Sequence, residues 1–285
     1  MRALVLSGGG PLAVAWESGL LAGLAEAGTV PTDADFILGT SAGAIVGAQL
    51  TTGRSADALA AAIVDEEKGV PPPGARHYDP AAIAQLPALF AKALAPGDRA
   101  AARAEVGAHA LAAQAPAEAD EMARVSRMLG GADWSDRGFG CVAVDVEDGE
   151  VRVLTRDSGA SLAQAVAASC SLPGLSPPIT IQGRRYMDGG FGSVANADLM
   201  LGYDKVLVMC FRPAGAPGDR MAARLDEQVA KLRASGAMVD VVFPDAATQD
   251  AIGFNTMDVR RRPAVARAGM AQGRAEAARL AGFLS

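Results

Sequence analysis

The stretch Phe36-Ile37-Leu38-Gly39-Thr40-Ser41-Ala42-Gly43-Ala44-Ile45-Val46-Gly47 runs from apolar residues through Gly-X-Ser-X-Gly into small, helix-compatible residues. This is the pattern of a strand, a sharp turn and a helix, with a serine at the turn. Glycines two positions either side of Ser41 let strand and helix pack close to it. The hydroxyl would stand at the strand's end above the first helical turn, where unpaired amides and the helix dipole favour negative charge. Such a serine suits nucleophilic chemistry. An ordinary Gly/Ser turn would have the same five residues, so the rest of the chain must decide.

Two other stretches bear on that decision. Near the start, Ala3-Leu4-Val5-Leu6 reads as a buried strand, Ser7-Gly8-Gly9-Gly10-Pro11 as a glycine loop, and Leu12 to Ala27 as a helix ended by Gly28. Leu20, Leu21 and Leu24 give that helix a core-facing side. A loop of this kind can hold an anion on backbone N–H groups. It has neither the Gly-Lys-Ser/Thr ending of a phosphate loop nor a Gly-X-Gly-X-X-Gly fingerprint. An oxyanion hole needs the same geometry, and since Pro11 has no N–H, its donors would be Gly9, Gly10 or Leu12. A plain strand-to-helix turn is the third reading. Farther on, Asp188-Gly189-Gly190 follows a short strand. A catalytic carboxylate would sit there in an open α/β sheet, and so would a common Asp-Gly turn.

Composition narrows the classes. The chain has 285 residues, half of them hydrophobic, and a formal charge of −6 with no basic stripe, which argues against a nucleic-acid partner. Cys141, Cys170 and Cys210 lie in apolar surroundings without metal-ligand spacing, and are expected as core thiols in a reducing compartment. No cofactor or metal is called for. Neither a signal peptide nor a bilayer-spanning run is evident, so a cytoplasmic protein is expected, with transient contact at a membrane surface left open. The oligomeric state is not encoded in any pattern.

The remaining elements point to a mainly parallel sheet covered by helices. Phe36 to Leu38 is a strand, Ala42 to Thr52 a helix, and residues from about 55 to 131 read as several helices without a strand, inserted beside or over the site. Cys141–Val146 and Val151–Leu154 form a hairpin about Glu147-Asp148-Gly149. Ser161 caps a helix running to Cys170. Ile179–Ile181 and Arg185–Met187 form a second hairpin, Lys205–Cys210 and Val239–Phe243 two more strands, and Met221–Gly236 and Pro263–Leu284 two more helices. No linker divides the chain, so residues 1–285 are expected as one domain.

A Ser-His-acid hydrolase of the α/β-hydrolase order would place a histidine after the acid. None follows Asp188; His77 and His109 lie in the helical insertion, where solvated positions are expected. A carboxylate within hydrogen-bond reach can itself take the serine proton, its low basicity offset by partial burial. The candidates are therefore Ser41 as nucleophile and Asp188 as base, with the glycine loop for the oxyanion.

The ordered set Leu6-Ser7-Gly8-Gly9-Gly10, Gly39-Thr40-Ser41-Ala42-Gly43 and Asp188-Gly189-Gly190 resembles patatin-like phospholipases. The resemblance implies a three-layer α/β/α sandwich, a Ser41–Asp188 dyad, and an oxyanion loop of Gly8, Gly9 and Gly10, together with a lipid or acyl-ester substrate. It also aligns Asn196 with an asparagine that follows the Asp-Gly-Gly. Leu12 stands where the family has a basic residue and Ala13 where it has glycine, which implies weaker contact with a lipid phosphate and a preference for simpler acyl esters or lysophospholipids. Two other functions fit parts of the pattern: a lipid-binding protein without turnover, and a nucleotide binder using the glycine loop, which would explain neither Ser41 nor Asp188.

Overall fold

The computed structural model describes residues 1–69, 79–212 and 219–285. Its strands and α-helices run, in order, β1 Arg2–Leu6, α1 Gly10–Glu26, β2 Phe36–Thr40, α2 Ala42–Thr51, α3 Ala56–Val64, α4 Pro80–Ala93, α5 Arg99–Ala112, α6 Glu118–Met128, β3 Phe139–Asp145, β4 Val151–Leu154, α7 Leu162–Ser169, β5 Ile179–Ile181, β6 Arg184–Asp188, β7 Lys205–Met209, α8 Arg220–Ala234, β8 Met238–Val242, α9 Ala246–Ile252 and α10 Arg262–Leu284. Most expected elements are present within a residue or two, including the Ser161 cap, which is a reciprocal capping box with Gln164. The short helix α9 was not anticipated. Between 55 and 131 the described residues form helices and no strand.

All eight strands join one mixed sheet ordered β5-β6-β3-β2-β1-β7-β8, with β4 also on β3. The pairs β3–β2, β2–β1, β1–β7 and β7–β8 are parallel, and the β3–β4, β3–β6 and β5–β6 pairs are antiparallel. One register detail positions the site. On one edge of β3, Val142 and Ala143 pair with Val153 and Arg152 of β4. On the other edge Val142 pairs with Thr40 of β2, and the next residue, Ala143, with Asp188 of β6. A strand has only two edges, so β2 and β6 share this one, running toward each other. The end of β2 therefore meets the end of β6, and the residues that meet are the neighbours of Ser41 and Asp188.

Alternation along the strands sorts the core into layers. Leu4, Leu6, Ile37, Cys141, Leu207 and Met209 face the side covered by α1, α2, α7 and α10. Ala3, Val5, Leu38, Val142, Val206 and Val208 face the side covered by α8 and the turn after Ala195. On that second side, α4 and α5 close over Val144, Met187 and Phe191. The arrangement is the expected three-layer α/β/α sandwich. The helices between 55 and 131 do not act as one block: α3 packs on α1 and α10, α6 on α7, and only α4 and α5 lie on the other face.

Helix α1 was expected to bury one side. In the structure every residue from Leu12 to Leu24 is buried, because α10 covers the side turned away from the sheet. Small residues make the approach close: a Cβ added to Gly23 would stand 2.0 Å from the Met270 carbonyl oxygen, and one on Gly273 would stand 2.3 Å from that of Leu20. Two effects compete in a glycine-to-alanine change here. Alanine gains about 1 kcal/mol of helix propensity, whereas overpacking a fitted contact costs about 1–3 kcal/mol. Since backbone cannot yield as a side chain tip can, Gly23→Ala is expected to lower the urea midpoint. Gly282→Ala, on α10 with no atom within 4 Å of the added carbon, is expected to leave it unchanged or raise it slightly. Equal midpoints for the two variants would contradict the packing account.

Candidate active site

Ser41 sits between β2 and α2 with φ 52° and ψ −107°, a left-handed backbone that a non-glycine residue adopts only when its surroundings impose it. What imposes it is contact between strand and helix. A Cβ on Gly43 would lie 2.2 Å from the Leu6 carbonyl oxygen, so α2 can start against β1 only with glycine at that position. The Ser41 amide donates to the Ser169 hydroxyl at the end of α7 (2.8 Å), and its carbonyl accepts from the Cys170 thiol (3.2 Å). The half-buried side chain is thus the free part of the residue, and it is directed at Asp188.

Ser41 Oγ donates to Asp188 Oδ2 at 2.7 Å. The other oxygen, Oδ1, accepts from the Gly190 amide at 2.7 Å. Asp188 is 1% exposed. Burial pushes its pKa up to about 7; the two hydrogen bonds pull it down but do not cancel the loss of solvent. A carboxylate of that basicity is suited to exchanging a proton with a hydroxyl near neutral pH. The sequence candidates Ser41 and Asp188 are therefore brought together.

The glycine loop lies beside them. A Cβ on Gly8 would be 3.6 Å from that of Ser41. The Gly8 amide, however, donates to the Val194 carbonyl (2.7 Å), so it anchors the loop and has no free donor for a ligand. The amides of Gly9, Gly10 and Leu12 have no hydrogen-bond partner among the described residues, as befits the first turn of α1. Gly9 has φ 148°, and a Cβ there would strike the Phe211 ring at 2.5 Å. The side chain of Leu12 is wholly buried in the core, so only its backbone can face the loop.

Several supporting contacts were not foreseen. The Ser7 carbonyl accepts from the Gly43 amide (2.9 Å) and the Ser7 hydroxyl from the Phe211 amide (2.8 Å), which ties the glycine loop to both α2 and the end of β7. Asn196, buried and left-handed at φ 53°, donates through Nδ2 to Thr40 Oγ1 (3.1 Å), the Gly189 carbonyl (3.1 Å) and the Ser193 carbonyl (2.7 Å). It thereby clamps the residue before Ser41 to the residue after Asp188. Phe90 of α4 stacks on Phe191, which follows the Asp-Gly-Gly, at 4.3 Å between ring centres. Glu17 is fully buried on α1, and neither carboxyl oxygen has a partner among the described residues; the Ser7 amide beside it is committed to the Met209 carbonyl at 3.2 Å. Loss of solvent pushes the Glu17 pKa well above the usual carboxylate range.

His109 is exposed on α5, and His77 lies outside the described residues. Cys141 and Cys210 are buried and Cys170 partly so, all as free thiols; burial pushes each thiol up, Cys210 to about 12.

A sequence model described as patatin-like phospholipase matches residues 4–201, which include Ser41, Asp188, Asn196 and the glycine loop. The chain belongs to the patatin-like phospholipase family. Members of that family are lipid acyl hydrolases. No curated protein matches the chain by sequence. Similar solved structures include VipD from Legionella pneumophila, 14% identical with a TM-score of 0.49, spanning 98% of this chain and 67% of that one. The type III effector protein ExoU is 16% identical with a TM-score of 0.44, spanning 97% of this chain and 53% of that one. ExoU of Pseudomonas aeruginosa in complex with SpcU is 17% identical with a TM-score of 0.39, spanning 96% and 52%. The patatin-like chain thus has about half to two thirds of their length, and likenesses at these scores carry no argument about activity.

The Asn196 clamp is open to a direct test. Removing a buried donor strands its acceptors, at roughly 1–3 kcal/mol for each group left unsatisfied. Asn196→Ala is expected to lower unfolding free energy by about 2 kcal/mol or more in urea titration. Thr40→Val removes one of three acceptors and should be milder. If Thr40→Val proves as damaging as Asn196→Ala, the clamp is not what holds these loops.

Proposed function

We propose that the protein is a serine acyl-ester hydrolase acting on lipid esters, with Ser41 as nucleophile and Asp188 as base. The observation that carries the proposal is the 2.7 Å hydrogen bond from Ser41 Oγ to a buried carboxylate. Oγ attacks the ester carbonyl carbon while its proton passes to Asp188 Oδ2. The carbonyl oxygen becomes an oxyanion, for which the amides of Gly9, Gly10 and Leu12 are the proposed donors. Gly8, included in the sequence-based oxyanion loop, supports that loop through its bond to Val194. As the tetrahedral species collapses, the ester C–O bond breaks and the leaving alcohol takes the proton from Asp188. Water then attacks the acyl-serine, gives a proton to Asp188, and the fatty acid leaves as Ser41 is reprotonated.

Substrate preference follows from Leu12. Its side chain is in the core and the first turn of α1 presents no cation there, so a lipid phosphate gains nothing from this position. Simple acyl esters are the proposed substrates over phosphate-bearing lipids. A higher kcat/KM on a diacyl phospholipid than on an acyl ester of equal chain length would overturn that preference.

The dyad itself is tested by a fluorophosphonate probe. Wild type should be labelled, Ser41→Ala not at all, and Asp188→Asn about 10²–10⁴-fold more slowly. Asp188 works only as the carboxylate, so kcat/KM on a soluble ester should rise with pH through a value near 7 and level off above it. Folded wild-type protein that resists the probe would point instead to a lipid-binding protein without turnover.

A further inference from the structure

We infer that the loop from Gly253 to Arg261, outside the part of the chain matched to the family, is a docking element for an anionic lipid surface beside the mouth of the site. Phe254 is fully exposed, the most exposed of the large apolar side chains among the described residues. Val259, on the same loop, is 47% exposed. An aromatic ring held in water gains free energy on entering a bilayer interface, where apolar area leaves water and the headgroup region accepts the ring.

The loop's place is fixed by contacts with the glycine loop. A Cβ on Gly10 would lie 2.7 Å from Met257 Sδ and 3.7 Å from the Thr256 carbonyl oxygen. Arg262, just past the loop, donates to the Pro11 carbonyl (3.0 Å) while paired with Glu66 (2.9 Å). The Phe254 loop therefore rests on the N-terminal end of α1, whose first amides are the proposed oxyanion donors.

Charge says which surface fits. Arg260 and Arg261 follow Val259 and share one acidic partner, Asp258, whose carboxylate is within 2.8 Å of Arg260 and 3.8 Å of Arg261. Arg260 is largely exposed and Arg261, which also donates to the Ala251 carbonyl, is about half so. Arg262 and Arg267 are matched by Glu66 and Glu67 and add little. Two exposed arginines that share one aspartate, beside an exposed aromatic on a chain of net charge −6, suit this corner to an anionic membrane. The purpose rests on the proposed lipid-ester reading, since docking here would bring the site to esters dissolved in the bilayer. The binding itself is independent of turnover.

The test uses Ser41→Ala protein, so that hydrolysis does not alter the vesicles. Flotation with 3:1 phosphatidylcholine–phosphatidylglycerol vesicles is compared with pure phosphatidylcholine, for the parent and for added Phe254→Ser, Arg260→Gln with Arg261→Gln, and Met238→Ser. Met238 is exposed at the opposite end of the sheet and serves as control. The parent should bind the anionic vesicles preferentially. Phe254→Ser should weaken binding by about tenfold, the arginine pair should remove the preference for anionic lipid, and Met238→Ser should change neither. With catalytically intact Ser41, Phe254→Ser should hydrolyse a soluble ester at the parent rate. Vesicle binding that is absent, or equal in parent and Phe254→Ser, overturns the inference. So does concentration-dependent self-association abolished by Phe254→Ser without vesicle binding, which would make the loop a contact between copies of the chain.

Discussion

One edge of β3 is divided between two strands, and the site depends on that division. β2 pairs with it as far as Val142 and β6 takes over at Ala143, running in the opposite direction. Two strand ends are thereby brought face to face in the middle of the sheet, where backbone pairing stops and the chain must turn. Ser41 leaves from one end and Asp188 from the other, and sheet hydrogen bonds set their separation more firmly than any loop could. The parallel strands alone would leave Ser41 facing solvent above α2; the antiparallel β5–β6 hairpin is what supplies the acid.

Bringing strands together in this way buries the carboxylate, and loss of solvent raises its pKa. An unpaired Asp188 in that position would take up a proton more readily. Two donors, the Ser41 hydroxyl and the Gly190 amide, limit the rise, and the balance leaves the group near neutrality. Glu17 shows the other outcome. It is equally buried and neither oxygen has a hydrogen-bond partner among the described residues, so loss of solvent pushes its pKa well above the usual carboxylate range.

The parts legible in the sequence were those where backbone geometry restricts the residue type. Gly39 and Gly43 betray the elbow because a Cβ on Gly39 would strike Ala44 of α2 and one on Gly43 the Leu6 carbonyl of β1, and Asp188-Gly189-Gly190 marks a strand end for similar steric reasons: a Cβ on Gly189 would stand 2.3 Å from the Val142 carbonyl. The Gly8 amide could not be assigned in advance, since its partner, the Val194 carbonyl, is 186 positions away in the chain and carbonyls leave no mark on a sequence. Ser169, which accepts from the Ser41 amide, was hidden likewise within a small-residue helix end. Complete burial of α1 was missed because its outer face is covered by α10, the last helix, and small residues on both sides carry no periodic apolar signal.

Helix α9 and the loop after it were not legible in the sequence, and they have a direct bearing on the site. From α9 onward there is no motif, yet Met257 lies over Gly10 and Arg262 reaches the Pro11 carbonyl. The contacts explain why α1 tolerates Pro11 and Leu12 in its first turn. Proline removes a donor that has no helical partner there, and its carbonyl is taken up by Arg262. Leucine turns inward, where a charged side chain could not be buried without a partner. The end of the chain thus does for the glycine loop what side chains of that loop do not: it packs against the exposed edge of the turn while leaving the amides of Gly9, Gly10 and Leu12 unpartnered among the described residues. Amides without partners among the described residues thus lie beside a buried carboxylate in an arrangement assembled from both ends of the chain.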